Sequence, residues 1–176
     1  MDFVFRRLES GDDTKDFDCG KPQLNEYLSK YARQDQRRMF GVTYVAVCES
    51  KVIGYFTLAT TAIPRDGLPE DMLRGIPKYN GLPAFLLGRL AVDKKCQGRQ
   101  IGEHLLSKCF DYCLFIAKWT GARYVIADVE NSAISWYERF GFRRIEGGRD
   151  TAWTKMLIDL EVVRTAIDHR AKSPVH

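Results

Sequence analysis

The sequence predicts an α/β (α+β) domain built on a mixed, mostly antiparallel sheet of six to seven strands, with helices on both faces. Two observations lead to this prediction. Runs of β-branched and aromatic residues alternate along the chain with segments whose apolar residues recur at helical spacing. In addition, only Glu49-Ser50-Lys51 separates the apolar runs Val42–Cys48 and Val52–Thr60. A connection this short joins antiparallel neighbours in a hairpin.

Length and composition limit the class of protein. The 176 residues are 45% hydrophobic, so one domain over residues 1–170 can bury a core, and we expect 171–176 to form a flexible tail. No apolar run is long enough to span a membrane and the N-terminus lacks a secretory pattern, so we expect a cytoplasmic location without membrane contact. A net charge of +4 permits an anionic partner without requiring one.

Cysteine and histidine usage argues against disulfide and metal chemistry. Five cysteines without CxxC spacing are typical of reduced thiols. Cys109 and Cys113, one helical turn apart, fit an apolar helix face. Two of the three histidines fall in the last eight residues, so we expect no metal site built by the protein.

The N-terminal part begins with a strand and a helix. Phe3–Leu8 is predicted to be the first strand, and Pro22 suits the first turn of a helix. The apolar residues of that helix follow i, i+3, i+4, i+7 spacing, at Leu24, Tyr27, Leu28 and Tyr31. Arg33–Arg38 is a polar stretch with three arginines, for which a solvated face is favoured over a binding patch. The proline-rich connection Pro64–Pro83 is typical of a functional loop or lid.

A strand, a tight polar turn and a helix follow, and the rest of the chain is organised around them. Phe85–Val92 is an apolar run, Gln97–Gly102 is the turn, and the helix from Ile101 is expected to end at Gly121. Backbone N–H groups in such a turn, together with the positive end of the helix macrodipole, form a site for phosphate or another anion.

The C-terminal part is predicted to alternate strands and helices. Asn131-Ser132 can cap a short helix that ends at Gly141. The other predicted elements of this part are a buried strand over Arg123–Glu130, strands over Phe142–Ile145 and Thr151–Leu160 joined by the loop Glu146–Asp150, and one or two helical turns beyond Glu161.

The turn, Asn131 and the element Trp136-Tyr137-Glu138-Arg139-Phe140-Gly141-Phe142 together resemble the GNAT (GCN5-related N-acetyltransferase) superfamily over nearly the whole chain. The turn of that superfamily is usually written Q/R-x-x-G-x-G/A, and Gln100 stands where the middle glycine is expected. We expect Gln100 to be right-handed helical, because a left-handed conformation costs roughly 1–2 kcal/mol. The resemblance implies the GNAT fold, acetyl-CoA as the donor, and no metal.

A narrower resemblance points to one branch of the superfamily. Phe17-Asp18-Cys19-Gly20, Val52–Ala59, the proline-rich loop and Leu87–Asp93 look like the acetyltransferase toxins of type II toxin–antitoxin systems. Those enzymes acetylate the amino group of aminoacyl-tRNA and block translation, and their usual partner is a small ribbon-helix-helix antitoxin. The resemblance therefore implies tRNA and such an antitoxin as partners, and a homodimer, which is common in the family.

The resemblance also assigns roles to residues. Tyr137 matches the tyrosine that gives a proton to the departing CoA thiolate; a free phenol, with a pKa of about 10, stays protonated at neutral pH. A core aromatic is the alternative for Tyr137, and a helix cap is the alternative for Asn131, whose amide could bind pantetheine. The residues implied in acetyl-CoA binding are Leu90, Ala91, Val92, Gln97, Gly98, Arg99, Gln100, Ile101, Gly102, Asn131 and Tyr137.

The acceptor side is less marked. No side chain is an obvious general base, and the candidates are strand-end carboxylates at Glu49, Asp93, Asp128 and Glu130. An α-amino group has a pKa of about 8 and needs a base less than lysine, at about 10.4, so an α-amine acceptor is favoured. If the acceptor is tRNA, cationic side chains contact its phosphates. The residues expected to bind this substrate are Arg89, Arg38, Lys94, Arg143 and Arg144.

The sequence thus favours an acetyl-CoA-dependent N-acetyltransferase, a toxin that acetylates the α-amino group of aminoacyl-tRNA by direct transfer with Tyr137 as general acid. Two alternatives remain. One is an N-acetyltransferase of a protein, a peptide or a small amine. The other is a module of GNAT fold that binds acyl-CoA without catalysis, which the irregular Gln100 suggests.

Overall fold

The structure, a computed structural model, describes residues 2–145 and 152–172. Its strands are β1 (Val4–Arg7), β2 (Val42–Cys48), β3 (Lys51–Pro64), β4 (Gly81–Val92), β5 (Tyr124–Glu130), β6 (Arg143–Arg144) and β7 (Trp153–Asp159). They form one sheet in the order β1-β2-β3-β4-β5-β7-β6. β4 and β5 are parallel, whereas β1–β2, β2–β3, β5–β7 and β6–β7 are antiparallel. The predicted mixed, mostly antiparallel sheet is confirmed.

The helices are α1 (Pro22–Glu26), α2 (Ala32–Arg37), α3 (Ile101–Thr120), α4 (Ile134–Glu138) and α5 (Leu160–Lys172), with a π-helical turn, Tyr27–Tyr31, between α1 and α2. The chain stays helical to Arg37, beyond Tyr31, the last apolar residue of the predicted helical pattern. α5 is longer than the one or two turns predicted. The sequence pattern did not indicate the extra turns, because most residues after Val163 are exposed and need not be apolar. In the described part of the chain, no helix has the length and apolar character needed to cross a bilayer. The predicted loop Glu146–Asp150 and residues 173–176 of the predicted tail lie outside the described residues.

The chain divides into two compact units, of which the first comprises residues 1–59 and 87–111. Its core includes the fully buried Leu28, Val45 and Tyr55. The N–H of Ala32 donates to the carbonyl of Tyr27, five residues earlier, which is the π-helical pattern. This wider winding accompanies the burial of Tyr27, Leu28 and Ala32 in one core cluster.

Gly54 on β3 sets how closely α3 approaches the sheet in this unit. A Cβ at position 54 would lie 2.9 Å from Leu105 Cδ1 and 3.2 Å from the carbonyl oxygen of Ala91. Both distances are too short for an ordinary carbon contact, so only glycine fits there without a shift. The first turns of α3 can therefore rest directly on β3 and β4.

The second unit comprises residues 60–86 and 112–176. Its core cluster includes Ile126 and Leu157 of the sheet. The long connection between β3 and β4 contains two 3-10 turns, Arg65–Gly67 and Glu70–Leu73. Its apolar side chains pack against the cluster, at Leu68, Met72, Leu73 and Ile76. The proline-rich connection is therefore a packed segment, and its proposed action as a lid stays a prediction.

Gln100 is left-handed, with φ at +61°, so the expectation of a right-handed residue is wrong. The expectation fails because Gln100 lies in the turn before Ile101, the first residue of α3, where the backbone need not have right-handed helical dihedral angles. The N–H of His104 donates to the carbonyl of Gln100 (3.0 Å), so Gln100 already closes the first helical turn. A residue in that position belongs to the helix through its carbonyl but not through its dihedral angles. The conformational cost at position 100 is consequently real.

Replacing Gln100 by glycine should stabilise the fold. Gln100→Gly relieves the left-handed cost and adds some freedom to the unfolded chain, so the free energy of unfolding should rise by about 0.5–1 kcal/mol. Denaturant unfolding measures it. The matched control is Gln23→Gly in α1, where the same substitution at an exposed helical position should lower stability by about 0.5–1 kcal/mol. A Gln100→Gly variant less stable than the native chain would refute this assignment.

Candidate active site

The turn between β4 and α3 has the geometry of an anion site. From Val92 the chain passes through a 3-10 turn, Lys94–Cys96, and an exposed segment, 97–100, before α3 begins. Gly98 and Gln100 have φ values of +74° and +61°. Left-handed residues interspersed in such a segment turn successive N–H groups toward a common point. Together with the N-terminus of the 20-residue α3, they suit a phosphate group.

Side chains from other segments hold this turn in place. The N–H of Asp18 donates to Asp93 Oδ2 (3.1 Å). Nε2 of Gln97 donates to the carbonyl oxygens of Cys19 (3.2 Å) and Val92 (3.0 Å). The side chain of Gln97 is therefore occupied within the fold, and contact of Gln97 with a ligand falls to its backbone.

The side chain of Asp18 also holds this turn in place, a role that sequence reasoning missed. Its carboxylate accepts hydrogen bonds from Lys94 Nζ (2.7 Å), the N–H of Gly20 (2.9 Å) and Asn25 Nδ2 (2.8 Å). These bonds, that of Lys94 first, lower the pKa of Asp18 to about 2. Lys94, an expected phosphate contact, thus has a carboxylate partner. The signal in the sequence was an aspartate two residues before a glycine, which is typical of an Asx turn.

The guanidinium group of Arg89, on β4, lies over an aromatic ring. Its guanidinium carbon is 3.4 Å from the ring centroid of Tyr27, a cation–π contact. Tyr27 in turn stacks on Tyr55, with the centroids 6.5 Å apart, and the Tyr55 hydroxyl donates to the carbonyl of Leu24 (2.8 Å). Among the described residues, Arg89 has no carboxylate partner. The Arg89 guanidinium is therefore held over an aromatic ring, with no carboxylate partner among the described residues.

Tyr137 on α4, in the second unit, is 9% exposed. Its ring makes edge-to-face contacts with Trp136 (centroids 5.0 Å apart) and Phe142 (5.2 Å). The N–H groups of Phe140 and Phe142 donate to the Tyr137 carbonyl, which fixes the turn after α4. A fixed ring is what a positioned proton donor requires, and a core aromatic shares it. The role of Tyr137 therefore stays a prediction.

Asn131 does not cap a helix as expected. It is the first residue of a 3-10 turn, and the residues that precede this turn and α4 are Glu130 and Ala133. Neither makes a side-chain cap hydrogen bond. Asn131 Oδ1 instead accepts a hydrogen bond from the hydroxyl of Thr154 on β7 (2.9 Å). The capping alternative fails because the side chain is directed to the neighbouring strand.

The expected tRNA contacts of the second unit are paired with carboxylates. Nη1 and Nη2 of Arg143 lie 2.6 and 3.1 Å from the Asp71 oxygens, and Nε of Arg144 lies 2.9 Å from Glu138 Oε1. Both pairs are exposed, where an ion pair contributes about 0–1 kcal/mol. A phosphate can replace such a carboxylate at small cost. Arg38 is exposed at the end of α2.

Asp93 and Asp128, which are among the candidate bases, have partners within the fold. Asp93 Oδ2 accepts a hydrogen bond from the N–H of Asp18, and Asp128 Oδ1 lies 3.3 Å from Lys155 Nζ.

Among residues 2–145 and 152–172, no group of three or more His, Cys, Asp or Glu side chains could hold a metal ion.

Removing the charge of Asp18 should weaken its hydrogen bonds to Lys94, Gly20 and Asn25, and the resulting loss of stability should depend on pH. The lowered pKa of Asp18 means that its contribution to stability is present above pH 4 and is lost as the pH falls toward 2. The melting temperature of Asp18→Asn should therefore lie below that of the native chain at pH 7, and the gap should narrow between pH 4 and pH 2. The control is Asp16→Asn, an exposed carboxylate 4.0 Å from Lys51 Nζ. A gap that is constant with pH would contradict this role.

Comparison with known proteins places these features in a family. Residues 40–144 match the family described as Acetyltransferase (GNAT) domain. The chain is 32% identical over 138 residues, 78% of its length and 82% of the relative, to the tRNA-acetylating toxin of Mycobacterium tuberculosis (strain ATCC 25618 / H37Rv). It is 25% identical over 137 residues, 72% and 76% of the two chains, to the probable toxin TacT of Sinorhizobium fredii (strain NBRC 101917 / NGR234).

Solved structures show the same fold. AtaT complexed with acetyl-methionyl-tRNAfMet superimposes with a TM-score of 0.85 at 23% identity, over 94% of this chain and 99% of the other. AtaTR bound with AcCoA gives 0.81 at 23%, over 94% and 98%. A mutant AtaT toxin bound to the C-terminus of the antitoxin AtaR gives 0.80 at 20%, over 99% and 100%. The chain belongs to the GNAT acetyltransferase family.

Proposed function

We propose that this acetyltransferase moves the acetyl group of acetyl-CoA to the α-amino group of aminoacyl-tRNA, as the toxin of a toxin–antitoxin pair. The observation that carries the proposal is the 32% identity, across 78% of the chain, to a protein named tRNA-acetylating toxin. An N-acetylated aminoacyl-tRNA has no free amine for peptide-bond formation, so translation stops. The proposal includes a cytoplasmic location, where charged tRNAs are found, a ribbon-helix-helix antitoxin as partner, and a homodimer.

Acetyl-CoA would be held by backbone groups. The N–H groups from Gln97 to Gly102 would take the pyrophosphate, with the side chain of Arg99 exposed beside them. The backbone of Leu90–Val92, at the end of β4, would pair with the pantetheine amides as an added strand. A backbone N–H in this stretch would polarise the thioester carbonyl as negative charge develops on its oxygen. Asn131 would add a hydrogen bond to pantetheine.

The chemical step needs one proton donor at the sulfur. The neutral amine attacks the thioester carbon, the tetrahedral intermediate collapses, and the carbon–sulfur bond breaks to leave a thiolate. The hydroxyl of Tyr137 would protonate that thiolate, and its ring is already fixed by Trp136 and Phe142. The positive charge left on the nitrogen is lost as a proton to water, and the Tyr137 phenolate regains a proton from water.

An α-amine acceptor agrees with the engaged carboxylates at Asp93 and Asp128. An α-amino group with a pKa of about 8 has a substantial neutral fraction at pH 7, whereas a lysine at about 10.4 has almost none. Arg89 on its aromatic support would orient the acceptor end. Phosphates farther along the tRNA would contact the other expected cations, at Arg38, Lys94, Arg143 and Arg144.

Removal of the Tyr137 hydroxyl should stop catalysis and relieve toxicity. We expect expression of the native chain to arrest growth and Tyr137→Phe to restore it, with kcat for charged tRNA lower by about 10²–10⁴-fold and acetyl-CoA affinity little changed. Tyr79→Phe, at an exposed tyrosine of the long connection, is the control. Growth arrest that persists in Tyr137→Phe with kcat unchanged would refute the role of Tyr137.

A further inference from the structure

The turn between α2 and β2 exposes large apolar side chains beside cations. We call its residues Arg37, Arg38, Met39 and Phe40 the α2 tip; all four are exposed. Met39 is 91% exposed and Phe40 is 72% exposed. Placing two large apolar groups in water, next to two arginines, gives the fold no stability of its own.

Hydrogen bonds hold the backbone of the α2 tip on both sides of Met39. The N–H of Phe40 donates to the carbonyl of Asp35 (3.0 Å), and the N–H of Arg38 donates to the carbonyl of Gln34 (3.0 Å). The side chain of Gln36 holds both flanks, since it donates to the carbonyl of Leu8 (2.9 Å) and accepts from the N–H of Thr43 (3.2 Å). The Phe40 backbone is thus fixed with its ring in solvent.

The three arginines of this stretch divide into two kinds. Arg33 is structural, because its guanidinium donates to the carbonyl oxygens of Glu9 and Asp12. Arg37 makes no side-chain contact with an acid among the described residues. Arg38 faces a neutral group, since the Gln34 amide, turned so that its oxygen faces the guanidinium, accepts from Nη1 (2.9 Å) and Nη2 (3.1 Å). Two positive charges of the α2 tip therefore have no compensating carboxylate.

A second exposed aromatic lies along the same helix. Tyr31 is 48% exposed and precedes Arg38 by seven residues, or two helical turns, so the two share a face. The α2 tip and Tyr31 together supply two exposed aromatic rings, and Arg37 and Arg38 supply two guanidinium groups without a carboxylate partner among the described residues. Single-stranded nucleic acid presents the complement of this pattern, because its unstacked bases pack on aromatic rings and its phosphates pair with arginine.

We propose that the α2 tip binds an unpaired stretch of RNA, with the ring of Phe40 stacked on a nucleobase and Arg37 and Arg38 on the adjacent phosphates. The proposal rests on the tRNA substrate of the proposed function. A purely apolar protein surface is disfavoured, because over Phe40 it would bury two adjacent like charges without a partner. An RNA strand supplies the ring's partner and the counter-charges in one ligand.

The test measures binding of deacylated tRNA, and of a single-stranded RNA carrying the fluorescent base 2-aminopurine, to the full chain. Phe40→Leu keeps the apolar bulk but removes the ring, so the dissociation constant should rise about five- to hundredfold. The same loss should appear in KM for charged tRNA rather than in kcat, and stacking should quench 2-aminopurine in the native chain but not in Phe40→Leu. The double change Arg37→Gln and Arg38→Gln removes two phosphate contacts. The slope of the logarithm of the binding constant against the logarithm of salt concentration should therefore become about 1.4 less steep.

Two controls accompany the test. Phe40→Tyr keeps an aromatic ring and should bind as the native chain does, and Trp119→Leu removes an aromatic that is 78% exposed on α3 and should change nothing. If the native chain acetylates charged tRNA but Phe40→Leu binds RNA as tightly as the native chain does, this inference is overturned and the proposed function stands. This inference is also overturned if Phe40→Leu loses binding to a protein antitoxin or to a second copy of the chain while its RNA affinity is unchanged. Quenching that depends on Phe40 without acetylation of tRNA would overturn the proposed function alone.

Discussion

The β4–α3 turn must be rigid and yet keep its backbone N–H groups available to a ligand. A turn that satisfied those groups internally would be stable and could not bind phosphate. Here side chains hold the turn. The Asp93 carboxylate accepts a hydrogen bond from the N–H of Asp18, and the Gln97 side chain donates to the carbonyl oxygens of Val92 and Cys19. The stretch Phe17–Gly20 therefore contributes to the donor site from outside it. The strained Gln100 is a cost of the same arrangement.

Charged residues of this protein perform two separate tasks. Some stabilise the fold through directional contacts, as Asp18 does with Lys94 and Arg33 does with carbonyl groups of the N-terminal loop. Others lack an acid, as Arg37 and Arg89 do among the described residues. Net charge does not distinguish these two groups. Only their partners show which cations can meet a polyanion without first breaking a contact that the fold needs.

The sequence predicted the elements well where periodicity was strong, as in the hairpin and in α3, which ends before Gly121 as expected. It failed where one residue satisfies two requirements. Gln100 closes a helix while its dihedral angles belong to a turn, and Asn131 precedes a helix while its side chain binds Thr154 on a neighbouring strand. Long-range braces such as Asp18 to Asp93, 75 residues apart, leave no local pattern. The exposure of Phe40 likewise depends on contacts such as those of Gln36 with Leu8 and Thr43, which no local pattern in the sequence indicates.

The identity of the acceptor amine decides between the proposed function and its alternatives. Acetyl-CoA labelled in its acetyl group should be incubated with the native chain and a mixture of charged tRNAs, peptides and polyamines, and each pool should then be assayed for label. We predict label in the charged tRNAs alone, released as an N-acetyl amino acid when the ester to the tRNA is hydrolysed. Label in the peptides or polyamines, or in no pool, would contradict the account.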